Sequence, residues 1–443
     1  MELQAIINRG LELGLTELEI YCSDTLQKTI KIQNGSLDTL NIKKINSFSV
    51  RGKYNGKMGY YYIENPQLDD IDGIINKIIL NASTITSSEE EILFDGLAKY
   101  KEIEPRKANF DEFTNIEKIE MLKKIEQGIK EADSRILTIS PCQFVESSTE
   151  IRIVNSKGLN LEKEVSYMYV YVAAMASNGT DNTMGYSIKA EFDLRKLNIE
   201  EIVSETVEKA ISALGAGKIK SGSYPIVFHR SVTSEIIEAF SSVFSSERAL
   251  RKMTKLIGKE GEKIFGDNIT IIDNPFDTNA TIMSAFDDEG VPCEETEIVK
   301  NGVFNTFLYN LKTAKHFNKK STGNGFRAGS GSNITVSNTN LCLVPGVKSV
   351  EDLISSVDNG IYVTEISGLH AGLDPISGDF NVQSSGFIIE DGKITSPVTL
   401  FVISGNFFDM LNNVEEIANN IEKNYIDTAA PAIKIKLLMV SGE

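Results

Sequence analysis

The chain has 443 residues, of which 41% are hydrophobic and 24% are charged, with 33 glycines and 10 prolines. This length allows two or three domains, and the ordinary composition excludes a small disulfide-stapled scaffold, a disordered chain and a fibrous repeat. The formal net charge of −17 repels a phosphate backbone and disfavours nucleic acid as a direct ligand.

Residues 1–105 are predicted to form an N-terminal α+β domain. Asn34-Gly35 and Asn55-Gly56 each separate two apolar-patterned runs and supply the two positive-φ positions of a tight hairpin. The other predicted elements are an amphipathic opening helix, strands at 17–20 and 29–32, and a second helix at 69–83.

Residues 106–222 are predicted to form a middle α+β domain, after an acidic and irregular connection at 84–109. Its last helix has a clear start, because Asn198 is a capping residue and Glu201 follows three positions later. The remaining predicted elements are a helix at 115–132 and strands at 137–140, 146–155 and 165–176.

Residues 223–443 are predicted to form a strand-rich C-terminal domain. A strand at 225–228 leads into a helix of about four or five turns with apolar positions from Val232 to Phe244. Glycine and serine cluster at 321–332, which predicts a long exposed loop. Hairpin turns are expected at Asn301-Gly302 and Asp391-Gly392. The whole chain is therefore predicted to be a multi-domain α+β protein with mixed and antiparallel twisted sheets and flanking helices.

The N-terminus and the cysteines predict a cytoplasmic protein. Glu2 stands where a secretory signal needs basic residues, and the longest apolar stretch, 167–176, is about half the roughly twenty residues of a spanning helix. Four cysteines, at positions 22, 142, 293 and 342, form no Cys-x-x-Cys pair, which is typical of a reducing compartment.

Histidine chemistry is sparse. His229, His316 and His370 are far apart and none is followed by Glu, so no helical zinc-hydrolase motif is present. We expect each histidine to have a surface or hydrogen-bonded structural role.

Three other segments each allow a functional and a structural interpretation. Arg327, within the glycine-rich stretch, could pair with a carboxylate or a peptide carbonyl, although a mobile loop is the simpler interpretation. Residues 287–290 resemble a fragment of a calcium loop but lack its alternating acidic spacing, which favours a turn. Asp374 and Asp379 could share acid and base roles, but Asp-Pro and Ser-Gly-Asp are also common turn formers.

Four segments in fixed order resemble the PmbA/TldD family, whose members are called modulators of DNA gyrase or TldD/TldE peptidases. An early strand pair that includes Arg51-Gly52 and residues 55–59 also matches. The four C-terminal segments are SAFDDEGVPCEETEIVKNGVFNTFLYN (284–310), KKSTGNGFR (319–327), GIYVTEISGLHAGLDPISGDF (360–380) and GFIIEDGKITSPVTLFVISGN (386–406).

This resemblance implies a zinc-free member of a zinc peptidase family. A TldD-type subunit carries a His-Glu-x-x-x-His helix and a later cysteine, and it pairs with a PmbA (TldE) subunit that lacks them. Here Glu238, Ala239 and Val243 stand at the His, Glu and His positions, and the last cysteine is Cys342. The chain therefore resembles the PmbA half, with no cofactor of its own and zinc expected only in a TldD-type partner.

The resemblance predicts a metal-free subunit of a TldD/PmbA-type zinc metallopeptidase that degrades or processes flexible peptides. The partner is a TldD-type subunit in a heterodimer, or a second copy in a homodimer. The alternatives are a stand-alone regulator, for example of DNA gyrase, and independent hydrolysis through Asp374 and Asp379 or through a metal held by Glu235 and Glu238. The residues predicted to line a substrate cleft are Arg327, Gly372, Asp374, Gly378 and Asp379.

Overall fold

The computed structural model describes residues 3–66, 70–86, 89–104 and 106–443, and it confirms the α+β class. The first half contains helices α1 (Leu3–Glu12), α2 (Ile71–Thr84), α3 (Asn115–Ala132) and α4 (Ile199–Ser212), and strands β1 (Glu17–Gln33), β2 (Ser36–Tyr54), β3 (Lys57–Glu64), β4 (Ile136–Asn155), β5 (Asn160–Ser177) and β6 (Asn182–Glu191).

These six strands form one antiparallel sheet in the order β3-β2-β1-β4-β5-β6. Strand β1 pairs with β2 on one side and with β4 on the other, so the segments before and after residue 105 share this sheet. Residue 105, the predicted boundary, lies outside the described residues, as does residue 69, the predicted start of α2. The three-domain division stays a prediction.

Local turn and capping signals are confirmed. Asn34, Gly35, Asn55 and Gly56 all have positive φ and close the two predicted hairpins. The Asn198 side chain accepts from the Glu201 N–H at the start of α4. The strands predicted at 17–20 and 29–32 are the two ends of one continuous strand, β1. The polar residues between them also pair with β2 and β4, so the strand is not interrupted.

One face of this sheet is covered by the four helices. Ile7, Ile75 and Ile78 pack on Leu18 and Ile20 at one end. At the other end, α3 and α4 enclose a second core with Ile30, Phe144 and Val170. The opposite face carries Tyr21 and Ile153, which pack with Phe286 of the C-terminal half.

Close packing of α4 on β6 requires a glycine at position 185. A Cβ there would lie 2.2 Å from the Ala210 nitrogen and 2.4 Å from the Thr206 carbonyl oxygen. We therefore expect Gly185→Ala to lower the free energy of unfolding by about 1–3 kcal/mol, measured by denaturant titration. Gly217→Ala is the matched control, because its new methyl group meets only the Pro397 oxygen at 3.9 Å. Equal free energies of unfolding for the two variants would contradict this close packing of α4 on β6.

The second half contains the mixed sheets. Its elements are β7 (Gly222–Phe228), α5 (Arg230–Phe240), α6 (Ser246–Leu250), β8 (Ile271–Asp273), β9 (Thr296–Lys300), β10 (Val303–Phe304), α7 (Leu311–Phe317), β11 (Gly325–Arg327), β12 (Ile334–Val336), β13 (Leu341–Leu343), α8 (Val350–Ser355), β14 (Asn359–Ser367), α9 (Leu369–Gly372), β15 (Asp379–Glu390), β16 (Lys393–Asn406), α10 (Phe407–Asn412), β17 (Val414–Ile417), β18 (Thr428–Ala429) and β19 (Ile433–Ser441).

Two sheets enclose the main core of this half. Their strand orders are β16-β15-β14-β7-β19-β17 and β10-β9-β8-β13-β18. The β14–β7 and β13–β18 pairings are parallel and the others are antiparallel, which gives the predicted mixed sheets. Helix α5 packs in this core, where Phe240 stacks on Phe407 with ring centroids 4.5 Å apart.

Two predictions of local structure were wrong in part. The helix predicted through Phe244 ends as an α-helix at Phe240 and continues as a 3-10 turn. The segment 321–332 is not a wholly exposed loop, because it contains β11 and buries Ser321 and Asn324. The Asn324 amide donates to Asp273 at 2.7 Å, so a tertiary hydrogen bond holds this glycine-rich chain inside.

Across the described part of the chain, every helix is too short or too polar to traverse a bilayer.

Candidate substrate cleft

Helix α5 is held between β14 and β18 by polar contacts at its first turns. The His229 N–H donates to the Val363 carbonyl oxygen at 2.9 Å, and the His229 ring caps the helix by accepting from the Ser231 N–H. One turn further on, the Ser234 hydroxyl accepts from the Ala430 N–H at 2.9 Å. These contacts fix the rotation of α5 and therefore the direction in which Glu235 and Glu238 project.

Glu235 and Glu238 on α5 and Glu365 on β14 lie close enough for their charges to interact. Burial, together with the charges of Glu365 on β14 and Glu238, raises the pKa of Glu235 to about 7. Partial burial and the charge of Asp427 raise the pKa of Glu238, and partial burial raises that of Glu365, while both residues stay exposed on one side. A carboxyl group with a large pKa shift and charged neighbours, such as Glu235, is a candidate functional residue.

Two residues of the middle segment interact with these carboxylates. Burial and the charges of Glu235 and Glu365 raise the pKa of Tyr186 on β6 to about 12. Lys209 on α4 pairs with Glu205 at 2.7 Å, and its positive charge opposes the rise in the Glu235 pKa. We call the partly exposed surface that carries Tyr186, Lys209 and the three carboxylates, on α4, β6, α5 and β14, the acidic cleft.

The pKa of Glu235 predicts a pH-dependent stability. A folded-state pKa above the ordinary carboxyl value means that stability is lost as the pH rises through about 7. Glu235→Gln removes the repulsion, so we expect a melting temperature about 1–3 °C above that of the unsubstituted chain at pH 8.5 and a smaller gain at pH 5. Differential scanning calorimetry at both pH values measures this effect. Glu208→Gln, on the exposed side of α4, is the control. An equal rise in melting temperature in this variant would contradict the repulsion between Glu235 and its neighbouring carboxylates.

The donors in the acidic cleft do not fit a zinc centre. Zinc sites in proteins use mainly imidazole and thiolate ligands, whereas Glu235, Glu238 and Glu365 offer carboxylates alone. His229 is used as a helix cap, while His316 lies exposed on α7 and His370 exposed on α9. Within the ranges that the structure describes, no three His, Cys, Asp or Glu residues form a group that could hold a metal ion.

Arg327, predicted to line a cleft, lies where the two halves of the chain meet. Its guanidinium lies 5.1 Å from the centre of the Tyr21 ring and donates to the Ser332 carbonyl oxygen at 2.7 Å. The Arg327 N–H donates to Asp288, which pairs with Lys163 of β5. A substrate role for Arg327 stays a prediction, and the contacts described here are structural.

The structure brings Asp374 and Asp379 into one turn. The Asp374 N–H donates to the Asp379 carbonyl oxygen at 2.9 Å, and the Gly378 N–H donates to the Asp374 carbonyl oxygen. The side chains accept from the Ile376 N–H and from the Asn406 amide, and these hydrogen bonds lower the pKa of both carboxyl groups. Neither carboxyl group is therefore suited to act as a general acid at neutral pH.

The glycines of this segment allow close packing. A Cβ on Gly372 would lie 2.1 Å from the Asn381 carbonyl oxygen, and one on Gly378 would lie 2.7 Å from the Phe408 ring. A surface depression of about 210 Å³, lined in part by Asn406, Asp409 and Met410, lies beside the turn. Participation of this turn in substrate binding stays a prediction.

Residues 287–290 form a buried turn. Asp287 accepts from the Glu289, Val291 and Gly325 N–H groups at 2.8–2.9 Å, so backbone donors occupy both of its oxygens. Glu289 pairs with Arg51 of β2, which in turn pairs with Glu19 of β1 at 2.7 Å. This segment therefore joins the two halves of the molecule.

Sequence reasoning missed Glu365, Tyr186 and Lys209. Glu238 follows Glu235 at helical spacing, so that pair was visible in the sequence, and it was considered as a carboxylate metal site. Glu365, Tyr186 and Lys209 come from three other elements, and no local spacing relates them to α5.

The fold and the site define an α+β protein with a carboxylate-lined cleft that lacks the donors of a zinc centre. Sequence models of the PmbA/TldA metallopeptidase domains match residues 18–82 (domain 1), 108–214 (central domain) and 221–442 (C-terminal domain). The chain belongs to the PmbA/TldD family of metallopeptidases.

Relatives of both subunit types are similar over nearly the whole chain. A metalloprotease PmbA homolog of Buchnera aphidicola subsp. Acyrthosiphon pisum is 29% identical and covers 96% of this chain and 93% of the relative. A metalloprotease TldD homolog of Buchnera aphidicola subsp. Schizaphis graminum is 22% identical, and the match covers 96% of this chain and 92% of the relative.

Two solved structures have the same fold. A Thermotoga maritima protein with the provisional name modulator of a DNA gyrase has a TM-score of 0.90 and 29% identity, with 99% of each chain covered. TldE from Thermococcus kodakarensis has a TM-score of 0.88 and 25% identity, with 99% of this chain and 100% of that chain covered.

Proposed function

We propose that this chain is the metal-free subunit of a TldD/PmbA-type zinc metallopeptidase complex that degrades or processes flexible peptides. The observation that carries the proposal is the acidic cleft. In a chain of a metallopeptidase family, the helix beside this cleft presents Glu235 and Glu238 and contains no histidine. The water-activating metal would then belong to a TldD-type partner.

Similarity to PmbA and TldE proteins supports this assignment of the subunit. The PmbA homolog is 29% identical to this chain, the TldD homolog is 22% identical, and TldE shares the fold at a TM-score of 0.88. In the complex, this chain would supply a wall of the substrate cleft. The negative charge of Glu238 and Glu365 would attract the amino groups of an extended peptide.

Reconstitution with a TldD-type chain tests the proposal. We expect the purified chain alone to contain no stoichiometric zinc and to leave an unstructured peptide such as β-casein intact. Mixed with a zinc-loaded TldD-type chain, it should form a stable heterodimer that cleaves the peptide at least tenfold faster than either chain alone. Elemental analysis, light scattering and a gel-based cleavage assay measure the three quantities.

Each alternative predicts a different result. A stand-alone regulator, as the provisional name of the Thermotoga maritima protein suggests, would bind a target such as gyrase and would add nothing to peptide cleavage. Independent hydrolysis would give cleavage by the isolated chain. If Asp374 and Asp379 carry it, cleavage would survive a chelator and be lost in Asp379→Ala. If a metal held by Glu235 and Glu238 carries it, cleavage would be lost with a chelator and in Glu235→Ala. Stoichiometric zinc in the isolated chain would contradict the metal-free assignment.

A further inference from the structure

The sheet of the first half has an open face at its β5–β6 end. Val170 and Val172 of β5 point into the core under α3 and α4, and Gly185 and Ser187 of β6 lie against α4. Side chains alternate along a strand, so the residues between these point to the opposite face. On β5 they are the half-buried Tyr167, Tyr169 and Tyr171, and on β6 they are Met184, Tyr186 and Ile188, which are 63%, 39% and 49% exposed. We call these six residues the tyrosine face.

The tyrosine rings of this face form two pairs. Tyr167 stacks on Tyr169, with ring centroids 6.4 Å apart and an angle of 15° between the ring planes. The ring centroids of Tyr171 and Tyr186, on neighbouring strands, are 6.2 Å apart. The three tyrosines of β5 occupy every second position, so their Cα atoms are spaced by about 7 Å. Side chains on one side of an extended peptide have the same spacing, so a peptide lying along β5 can place one side chain on each ring.

Carboxylates of the C-terminal half lie beside the Tyr186 end of this face. The Asn424 amide donates to the Ala190 carbonyl oxygen at 3.0 Å, which ties the end of β6 to the segment that leads into β18. Burial and the charges of Glu235 and Glu365 raise the pKa of Tyr186, so both carboxylates act on its ring. A lysine or arginine side chain is attracted to an aromatic ring face and to a carboxylate alike. This end of the tyrosine face therefore favours a cationic side chain.

Charge decides which kind of molecule the tyrosine face can take. The net charge of −17, with Glu235 and Glu365 beside the face, repels nucleic acid and an anionic membrane. A second copy of the chain docked here would bring two sets of the same carboxylates together, which also costs free energy. A peptide that combines aromatic or apolar side chains with a positive charge matches both the rings and the carboxylates.

We infer that the tyrosine face binds an extended peptide segment in which a lysine or arginine residue lies next to aromatic or apolar residues. The aromatic side chains would pack on the tyrosine rings, and the cationic side chain would reach Glu235 or Glu365 beside Tyr186. This inference rests on the proposed function, because it names the class of flexible peptide that the same part of the molecule would take.

Fluorescence anisotropy of labelled peptides, titrated with the purified chain, tests the composition. One peptide has a central Phe-Lys-Phe-Lys block, a second has glutamate in place of both lysines, and a third has serine in place of both phenylalanines. We expect the first to bind at least tenfold more tightly than either of the others, because the second meets like charge and the third has no ring to pack. Equal dissociation constants for the three peptides would overturn the inference.

Substitutions test the location of the site. Tyr186→Ser should weaken binding of the Phe-Lys peptide at least fivefold, whereas Tyr186→Phe keeps the ring and should bind within about twofold of the unsubstituted chain. Leu40→Ser is the matched control, because it removes a side chain that is similarly exposed, at 43%, from β2 of the same sheet. Circular dichroism checks that each variant is folded. Unchanged binding in Tyr186→Ser, or an equal loss in Leu40→Ser, would overturn the inference.

Charge variants test the acidic end of the site. Glu365→Gln should weaken binding of the Phe-Lys peptide about threefold at low salt and by less at high salt, because salt screens the attraction. Glu208→Gln, at an exposed position on α4, is the control and should bind like the unsubstituted chain. The same loss in both charge variants would overturn the contribution of Glu365.

The cleavage assay separates this inference from the proposed function. If the reconstituted complex cleaves β-casein while the chain binds the three peptides equally, the inference alone fails. If the chain binds the Phe-Lys peptide as expected and the mixture with a TldD-type chain cleaves nothing, the proposed function alone fails.

Discussion

Arg51→Met is expected to lower the free energy of unfolding by about 3–5 kcal/mol, because it leaves two buried carboxylates without their counter-charge. The Arg51 guanidinium contacts Glu19 at 2.7 Å and Glu289 at 3.4 Å, and all three residues are at least 97% buried. Denaturant titration at pH 7.5, followed by intrinsic fluorescence and circular dichroism, measures the loss.

The loss should depend on pH. Burial raises the pKa of Glu289, and Arg51 opposes that rise. Without Arg51 the pKa of Glu289 moves higher, so the variant loses stability as the pH rises and regains part of it at pH 5. The triple variant R51M/E19Q/E289Q should recover at least half of the lost stability, because no buried charge is left unpaired. A triple variant as unstable as Arg51→Met would contradict this account.

Asp287→Ala is expected to lower the free energy of unfolding by about 3–9 kcal/mol, at about 1–3 kcal/mol for each of the three buried donors that lose their acceptor. The carboxylate accepts from three backbone N–H groups, and the residue is completely buried. Asp287→Asn keeps one oxygen acceptor and should fall about midway between the unsubstituted chain and Asp287→Ala. Thermal unfolding monitored by calorimetry orders the three proteins.

Calcium provides an independent check on the same turn. Because backbone donors occupy both oxygens of Asp287, added Ca²⁺ should leave the melting temperature unchanged. A calcium-dependent rise that disappears in Asp287→Asn would instead support the calcium-loop interpretation of residues 287–290.

The buried contacts of Arg51 with Glu19 and Glu289 show why part of the site could not be predicted from the sequence. Residues 287–290 were predicted to be a turn, since Asp and Gly favour turns wherever they occur. Burial of that turn against Arg51 was not predictable, because 238 positions separate Arg51 from Glu289. Distance along the sequence likewise hid the approach of Tyr186 and Glu365 to Glu235, because 49 and 130 positions separate them from it.

The amino-acid sequence by itself determined the Asn-Gly hairpin turns, the capped start of α4, the α+β class and the family. These features depend on backbone preferences of neighbouring residues or on motifs in a fixed order. Only the tertiary structure decided that β1 joins the first two segments in one sheet, that Arg51 pairs with Glu289, and that carboxylates from α5 and β14 share a cleft. Pairing partners and buried charges depend on which distant segments pack together, and hydrophobic burial over the whole chain makes that choice.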